Sequence, residues 1–145
     1  MRVTLTLAIV FLTSYLPARI QTPADTNNAK VLERFLAEIK GREQQPAGQV
    51  FKNVNYLKDD SAATLLDIMD IGYARALGVS CTYCHVEQDF SADDKRPKRA
   101  AREMQVMHRS FNEQLRKMVN SDRKPEDRLI NCTTCHRGRA IPSTR

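Results

Sequence analysis

The chain has 145 residues, which is room for one domain. Only 41% of it is hydrophobic and 6% aromatic, with no Trp, so a conventional apolar core is excluded unless disulfides, a metal or a large cofactor reinforce it. The formal charge of +6 suits an anionic partner such as nucleic acid, a lipid surface or an acidic protein, and equally an anionic cofactor.

The N-terminal segment has the residue order of a secretory signal. Arg2 precedes a largely apolar run from Val3 to Leu16, and Pro17 and a polar stretch follow. That run is too short to span a bilayer comfortably as a helix. We expect residues 1–24 to be a signal peptide or, if uncleaved, an N-terminal anchor. The rest is expected in the periplasm or otherwise outside the cytoplasm.

Residues 25–49 predict a helix and a linker. Apolar residues recur at helical spacing up to about residue 40, and Gly41 follows as a stop: Val31, Leu32, Phe35, Leu36 and Ile39. Residues 50–57 alternate weakly and contain β-branched side chains. They predict an extended segment that could form a short strand.

Two further helices are predicted within residues 50–145. The first is capped by Asp59, Asp60 or Ser61 and ends near residue 77, before Gly78, with an inner stripe of Leu65, Met69, Gly72, Tyr73 and Ala76. The second runs over residues 98–119 after an Asp93 or Asp94 cap, with one apolar face of Met104, Met107, Phe111, Leu115 and Met118. The fold class predicted is mainly α, with little or no sheet.

Each of these helices precedes the same pattern, Cys, two residues, Cys, His. The two copies use every cysteine and two of the three histidines: Cys81, Cys84, His85, Cys132, Cys135 and His136. The pattern is that of c-type haem attachment. Residues i, i+3 and i+4 share one face of a helical turn, so two thiols can bond the two vinyl groups of one haem while the imidazole reaches its iron.

The cysteines could instead bind a structural zinc ion or form disulfides. A structural zinc site can use four cysteines and two histidines, but it does not explain a His directly after both pairs. Disulfides suit an exported chain, but a two-residue gap is typical of redox-active pairs, which lack the repeated His. Two covalent c-type haems are therefore predicted as cofactors, and they also supply the missing apolar core.

The sixth position on each iron decides between two functions. A Met or His there closes the iron for electron transfer, whereas an open, five-coordinate iron favours a haem enzyme or a gas-binding sensor. Met69 is the candidate for the first haem because it lies on the inner stripe just before the motif. For the second haem, spacing leaves Met104, Met107, His108 and Met118 open.

The stretch from about residue 51 to 142 resembles one module of the multihaem cytochrome subunit of photosynthetic reaction centres and of its non-photosynthetic relatives. The residues that carry the resemblance are FKNVNYLKD, LLDIMDIGYARALGVSCTYCHVEQDFSADDK, AREMQVMHRSFNEQL and NCTTCHRG. The resemblance implies Met69 as sixth ligand of the first haem. It favours Met104 over Met107 or His108 for the second.

The chain also departs from that family's pattern. The photosynthetic subunit looks like two such modules with four haems, whereas this chain has one module with two motifs. A His that ligates across modules in the family has no counterpart between His108 and Cys132. These departures argue against a reaction-centre subunit as such, and the helix before Lys40 falls outside the resemblance.

The sequence thus predicts an exported dihaem electron carrier rather than an enzyme. We expect its partners to be redox proteins, acidic ones among them, and not nucleic acid. Association with a membrane is expected only if the N-terminal segment is uncleaved. A basic cluster at the start of the long helix could dock an acidic partner or could simply be a solvated helix start: Lys95, Arg96, Lys98, Arg99 and Arg102.

Overall fold

The computed structural model describes residues 23–118, 124 and 129–143. These residues form α1 (Pro23–Glu38), α2 (Ala47–Val50), α3 (Ala62–Asp67), α4 (Cys81–Cys84), α5 (Arg96–Lys117) and α6 (Cys132–His136). Over the same residues the chain has no strand, only the isolated bridges Pro46–Ser61 and Val86–Asp89. The mainly α fold class is confirmed. The predicted signal or anchor lies, except for its last two residues, outside the described part.

Helix α1 is the predicted first helix, and it packs on α3. Ile39, just beyond its end, is fully buried against Ala62 and Leu66. Leu32 and Phe35 from the apolar stripe pack on the same cluster. The stripe therefore joins α1 to the part of the chain that carries the first motif.

The prediction of an extended segment at residues 50–57 was wrong. Helix α2 ends at Val50, and the chain then turns back on itself. Ala47 donates its backbone N–H to Asp60 O (2.8 Å), and Gly48 donates its backbone N–H to Lys58 O (2.9 Å). The residues after the turn therefore form hydrogen bonds with the start of α2 and do not pair as a strand. Asn53 takes the left-handed backbone (φ 59°) that Asn tolerates and a regular strand excludes.

The second predicted helix is not α-helical throughout. Ser61 caps α3 by accepting from the Thr64 backbone N–H (3.1 Å), but from Ile68 to Arg75 the chain continues as a π-helix. The predicted inner stripe is nevertheless confirmed, since Leu65 and Ala76 are buried and Met69, Gly72 and Tyr73 are half-buried. Short π segments inside α-helices are frequently found at functional sites, and this one carries Met69.

The helix ends at Gly78 as the sequence predicts. The Val79 N–H donates to Ala74 O (3.0 Å) and the Gly78 N–H to Arg75 O (3.3 Å), which is the Schellman pattern of a glycine-terminated helix. Gly78 has a φ of 67°. Gly138, just after the second motif, donates its N–H to Ala76 O (2.8 Å), so the two motifs meet at this helix end.

Helix α5 is confirmed with bounds shifted by two residues, but neither predicted cap is used. Its N-cap is Lys95, and Pro97 lies in its first turn. Asp93 instead turns its carboxylate to two cations of the helix, Arg102 (2.6 Å) and Lys98 (3.3 Å).

The close approach at Gly78 predicts a large cost for a single methyl group. A Cβ there would lie 2.3 Å from Gly138 O, whereas one at Gly41, which also has a positive φ, would meet nothing within 4 Å. Gly41→Ala should lose about 1–2 kcal/mol of unfolding free energy from the left-handed backbone alone. Gly78→Ala should lose more, because two backbones must also move apart. Urea denaturation of both variants compares them, and equal losses would contradict the contact.

Candidate haem-binding site

The first motif opens onto a cavity of about 400 Å³, within the usual range of small-ligand pockets. Cys81, Cys84 and His85 line it on one element, and Met69 of the π segment lines it from another. Apolar side chains of α1 and of the segment after α2 complete the wall: Val31, Leu32, Phe35, Phe51 and Val54. The structure thus brings the predicted thiols, imidazole and thioether of the first site to one apolar cavity.

The His85 ring is fixed by two contacts. Its Nδ1 lies 2.8 Å from Phe90 O, and its face stacks on the Phe90 ring, with centroids 4.9 Å apart and planes at 16°. A carbonyl can only accept, so Nδ1 carries the proton and Nε2 keeps its lone pair. Burial lowers the pKa of His85, and Lys98, Lys95 and Arg102 add to this against the Phe90 hydrogen bond. The neutral imidazole is the form that binds a metal.

None of the four cysteines is joined to another by a disulfide. Burial raises the pKa of Cys81, Cys84 and Cys132. Redox-active and nucleophilic cysteines need the opposite shift, because the thiolate is the reactive form. Over the described residues, no three His, Cys, Asp or Glu side chains converge as ligands of a lone metal ion. Each motif presents two thiols and one imidazole, which is the donor set of a c-type haem.

A buried asparagine on α1 positions the first motif. The Asn28 side chain donates from Nδ2 to Val79 O (3.0 Å) and accepts at Oδ1 from the Cys81 N–H (2.8 Å). The local N-cap, Ser80, makes no capping bond to α4. Asn28 therefore caps the motif helix from a distant part of the chain, and α1 forms part of the site.

A second buried asparagine does the same for the second motif. The Asn112 side chain accepts at Oδ1 from the Ile130 N–H (2.8 Å) and donates from Nδ2 to Ile130 O (3.0 Å). Asn131 then forms a capping box with Thr134 at the start of α6. The approach of the chain to Cys132 is thus held by α5.

The two motif histidines share one hydrogen-bond pattern. His136 Nδ1 lies 2.9 Å from Arg139 O, as His85 Nδ1 lies near Phe90 O, so Nε2 is again the nitrogen with a free lone pair. The backbones differ, since His136 is the last residue of α6 whereas His85 follows α4 with extended dihedrals. The single-turn geometry predicted for the motif extends to the histidine only in the second copy.

Tyr73 lies close to both motifs. Its hydroxyl donates to Gln105 Oε1 (2.9 Å). Burial raises the pKa of Tyr73 to about 12, with Cys132 and Cys84 adding to the shift. A cysteine of each motif therefore lies near enough to influence the same phenol.

The candidate ligands of the second site lie on α5 in different surroundings. Met104 and Met107 are 46% and 45% exposed, and both lie on an apolar face that continues through Phe111 and Met118. His108 Nε2 lies 2.8 Å from Ile130 O, while its Nδ1 is buried without a hydrogen-bond partner. Helix α5 thus offers thioethers on its surface and one imidazole that already holds the approach to Cys132.

Sequence reasoning missed the residues that hold the motifs, namely Asn28, Asn112 and Lys98. They are the buried polar side chains of the described residues. A signal was present for Asn28, which lies one turn before Val31 and Leu32 and so falls on the apolar stripe of α1. An amide on an apolar face needs a buried partner.

A mainly helical scaffold that carries two Cys-x-x-Cys-His turns, each with an imidazole bonded to a backbone carbonyl, defines the class of c-type cytochromes. The family model described as "Photosynthetic reaction centre cytochrome C subunit" matches residues 18–145, and the chain belongs to this family. The match includes α1, which the sequence resemblance had left out. A covalently bound c-type haem is the cofactor that this family implies, and the first cavity with its donors fits it.

Curated relatives are similar over part of their length. The photosynthetic reaction center cytochrome c subunit of Roseobacter denitrificans is 32% identical over 106 residues, 69% of this chain and 27% of the relative. That of Thermochromatium tepidum is 33% identical over 102 residues, 66% of this chain and 22% of the relative. Cytochrome c-554 of Chloroflexus aurantiacus is 34% identical over 84 residues, 58% of this chain and 20% of the relative. The chain spans about a fifth to a quarter of these relatives.

Within residues 23–118, 124 and 129–143, every helix is too short or too polar to span a bilayer.

The Asn28 contacts predict a stability loss that is specific to one asparagine of α1. Asn28→Ala leaves the Val79 carbonyl and the Cys81 N–H without partners, at about 1–3 kcal/mol for each buried group. Asn27→Ala is the matched control, because Asn27 is exposed on the same helix, and it should change stability by less than about 0.5 kcal/mol. Chemical denaturation measures both, and similar losses would show that α1 does not hold the motif.

Proposed function

We propose that the protein is an exported dihaem c-type cytochrome that carries single electrons. The observation that carries this proposal is a hydrogen bond found at both motifs: each motif histidine donates Nδ1–H to a backbone carbonyl and leaves Nε2 free. Metal-binding histidines almost always have such a partner, which fixes the tautomer and the ring orientation. A family membership that implies c-type haem supports the same conclusion.

In the proposed first site, Cys81 and Cys84 would form the thioether bonds, and His85 and Met69 would be the axial ligands. In the second, Cys132 and Cys135 would form the bonds, with His136 and Met104 as ligands and Met107 or His108 as the alternatives to Met104. Each haem, when bound, supplies an iron that takes one electron from a reduced donor protein and passes it to an oxidised acceptor protein. Residues 50–145 would form the dihaem domain.

The chain's own residues set the conditions for this transfer. The apolar wall of the first cavity excludes water, and the Phe90 carbonyl and ring fix His85 in one orientation. A Met opposite a His favours a higher reduction potential than two His ligands. If Met69 and Met104 bind the irons together with His85 and His136, no iron would remain open to a substrate, and the protein would act as a carrier rather than as an enzyme.

A second function is favoured by one observation. Met104 and Met107 lie about half exposed on α5, and His108 already uses Nε2 to hold Ile130. If none of them binds the second iron, that haem is five-coordinate. The protein would then be a haem enzyme or a gas-binding sensor with one closed and one open site.

The proposed partners are redox proteins and not nucleic acids.

The basic cluster at the start of α5 has limited capacity to dock an acidic partner, because most of its side chains already make contacts inside the protein. Lys98 is buried, Arg99 donates to the Asp93 and Asp94 carbonyls, and Lys95 donates to Thr82 O. The cluster therefore serves the fold first, and Arg96 is its most available cation. Location in the periplasm, with membrane association only through an uncleaved N-terminal segment, completes the proposal.

The number of haems is a direct test. Purified native protein should give a pyridine haemochrome with two haems per chain, and its intact mass should exceed that of the processed polypeptide by two haems. Cys132→Ala with Cys135→Ala should leave one haem on the first motif. A colourless native protein, or one with the mass of the bare polypeptide, would refute the proposal.

Ligand substitutions separate the carrier from the open-site alternative. The native ferrous protein should be low-spin and should not bind carbon monoxide, whereas Met69→Ala should open the first iron and bind it. Met104→Ala should open the second iron, and Met107→Ala, one turn along the same face, is its matched control. Carbon monoxide binding by the native protein favours the open site, and an effect of Met107→Ala alone would transfer the ligand to Met107.

A further inference from the structure

The cation most buried among the described residues lies beside the first motif. Lys98 is 9% exposed, and its Nζ donates to Phe90 O (2.9 Å), Ser91 O (2.8 Å) and Ala92 O (2.8 Å). These three carbonyls use all three N–H donors of an ammonium group. The Asp93 carboxylate at 3.3 Å is therefore an ion-pair partner without a hydrogen bond from Lys98.

One of these carbonyls also serves the candidate axial ligand. Phe90 O accepts from the Lys98 ammonium and from His85 Nδ1 (2.8 Å), so the cation and the imidazole share one oxygen. A metal-binding histidine becomes more basic when its other ring N–H donates a hydrogen bond to a carbonyl or carboxylate oxygen. An ammonium on the same oxygen withdraws electron density from it and weakens that effect.

We propose that Lys98 is a positioning residue that raises the reduction potential of the first haem, through the Phe90 carbonyl and through its own buried charge. This proposal rests on the proposed function, since it requires a haem at Cys81, Cys84 and His85. The second motif histidine bonds Arg139 O, which lies in the exposed C-terminal segment. Lys98 would therefore raise the potential of the first haem relative to that of the second, and so help to set the direction of electron flow between the two sites.

Both effects of Lys98 have the same sign. Ferric haem has one more positive charge than ferrous haem, so a nearby fixed cation destabilises the ferric form more. A less basic imidazole also stabilises the ferric form less. Among the other charged groups near this turn, Asp89 and Asp93 oppose Lys98, whereas Arg34, Lys95 and Arg102 act with it. Arg102 is paired with Asp93 at 2.6 Å. Asp93 therefore tempers the effect, and its removal should have the opposite sign.

The test is a spectroelectrochemical titration of the two-haem protein and its variants. Lys98→Met keeps the length of the side chain and removes the charge, and it should lower the potential of one haem only. That haem should be the one whose spectrum changes in Met69→Ala. Asp93→Asn should raise the same potential. Lys98→Arg retains the charge and should stay closer to the native value than Lys98→Met does.

Lys117→Met is the matched control. Lys117 is exposed on the same helix, about 28 Å further along at 1.5 Å per residue, and its removal changes the net charge by the same amount. High salt should suppress any effect of Lys117→Met but not that of Lys98→Met, because a buried charge is screened less. Equal shifts of both haems in the Lys98→Met protein, or none, would overturn the proposal.

Failure of folding or loading is distinguished from failure of the proposal. Haemochrome and intact mass are measured first on the native protein, and absence of haem there refutes the proposed function itself. If Lys98→Met is the only variant that fails to load haem, Asp93→Asn becomes the test of the proposal, because this variant keeps all three carbonyl bonds of Lys98. An Asp93→Asn protein with two haems and no upward shift would then reject the role of Lys98.

Discussion

The structure depends on satisfying the backbone polar groups that flank the two Cys-x-x-Cys-His turns. Asn28, Lys98 and Asn112 are the buried polar side chains of the described residues, and each bonds backbone atoms just before or after a motif. A buried N–H or C=O without a partner costs about 1–3 kcal/mol, so these three side chains restrict where the motifs can lie. The order they impose is local to the site, where thiol and imidazole positions must match one rigid ligand.

The apolar part of the fold is small by comparison. Half of the buried hydrophobic residues among those described are alanines, Ala47, Ala62, Ala74 and Ala76, and Ile39 is the largest side chain that is fully buried. Two small clusters share only Phe51 at their edges. A cavity lies beside these clusters, and α5 has an exposed apolar face. Both features are expected of a chain in which a bound cofactor supplies part of the core.

Much of this could be predicted from the sequence, for reasons that differ by element. Helices α1 and α5 were found because their apolar residues keep one period over several turns, and Gly78 was found because a helix end needs a residue tolerant of positive φ. The π segment could not be found, since its residues read as an ordinary α period. The turns after α2 depend on bonds to Lys58 and Asp60, which local alternation does not reveal. Asn28 bonds backbone 51 and 53 residues away, whereas Lys98 bonds carbonyls six to eight residues before it. Nothing beside either residue in the sequence identifies the atoms that it binds.

The placement of Lys98 connects the fold to the proposed electron transfer. An ammonium that only stabilised the turn after the first motif could have bonded any exposed carbonyl, but one of its three acceptors is the oxygen that orients His85. Fold stability and ligand basicity then depend on the same bond, so a change that relaxes the turn also changes the imidazole. At the second motif the corresponding acceptor, Arg139 O, lies in an exposed segment after Gly138. The two motifs share one histidine hydrogen-bond pattern but have different electrostatic surroundings. In the proposed dihaem carrier, this difference would give the two irons different potentials.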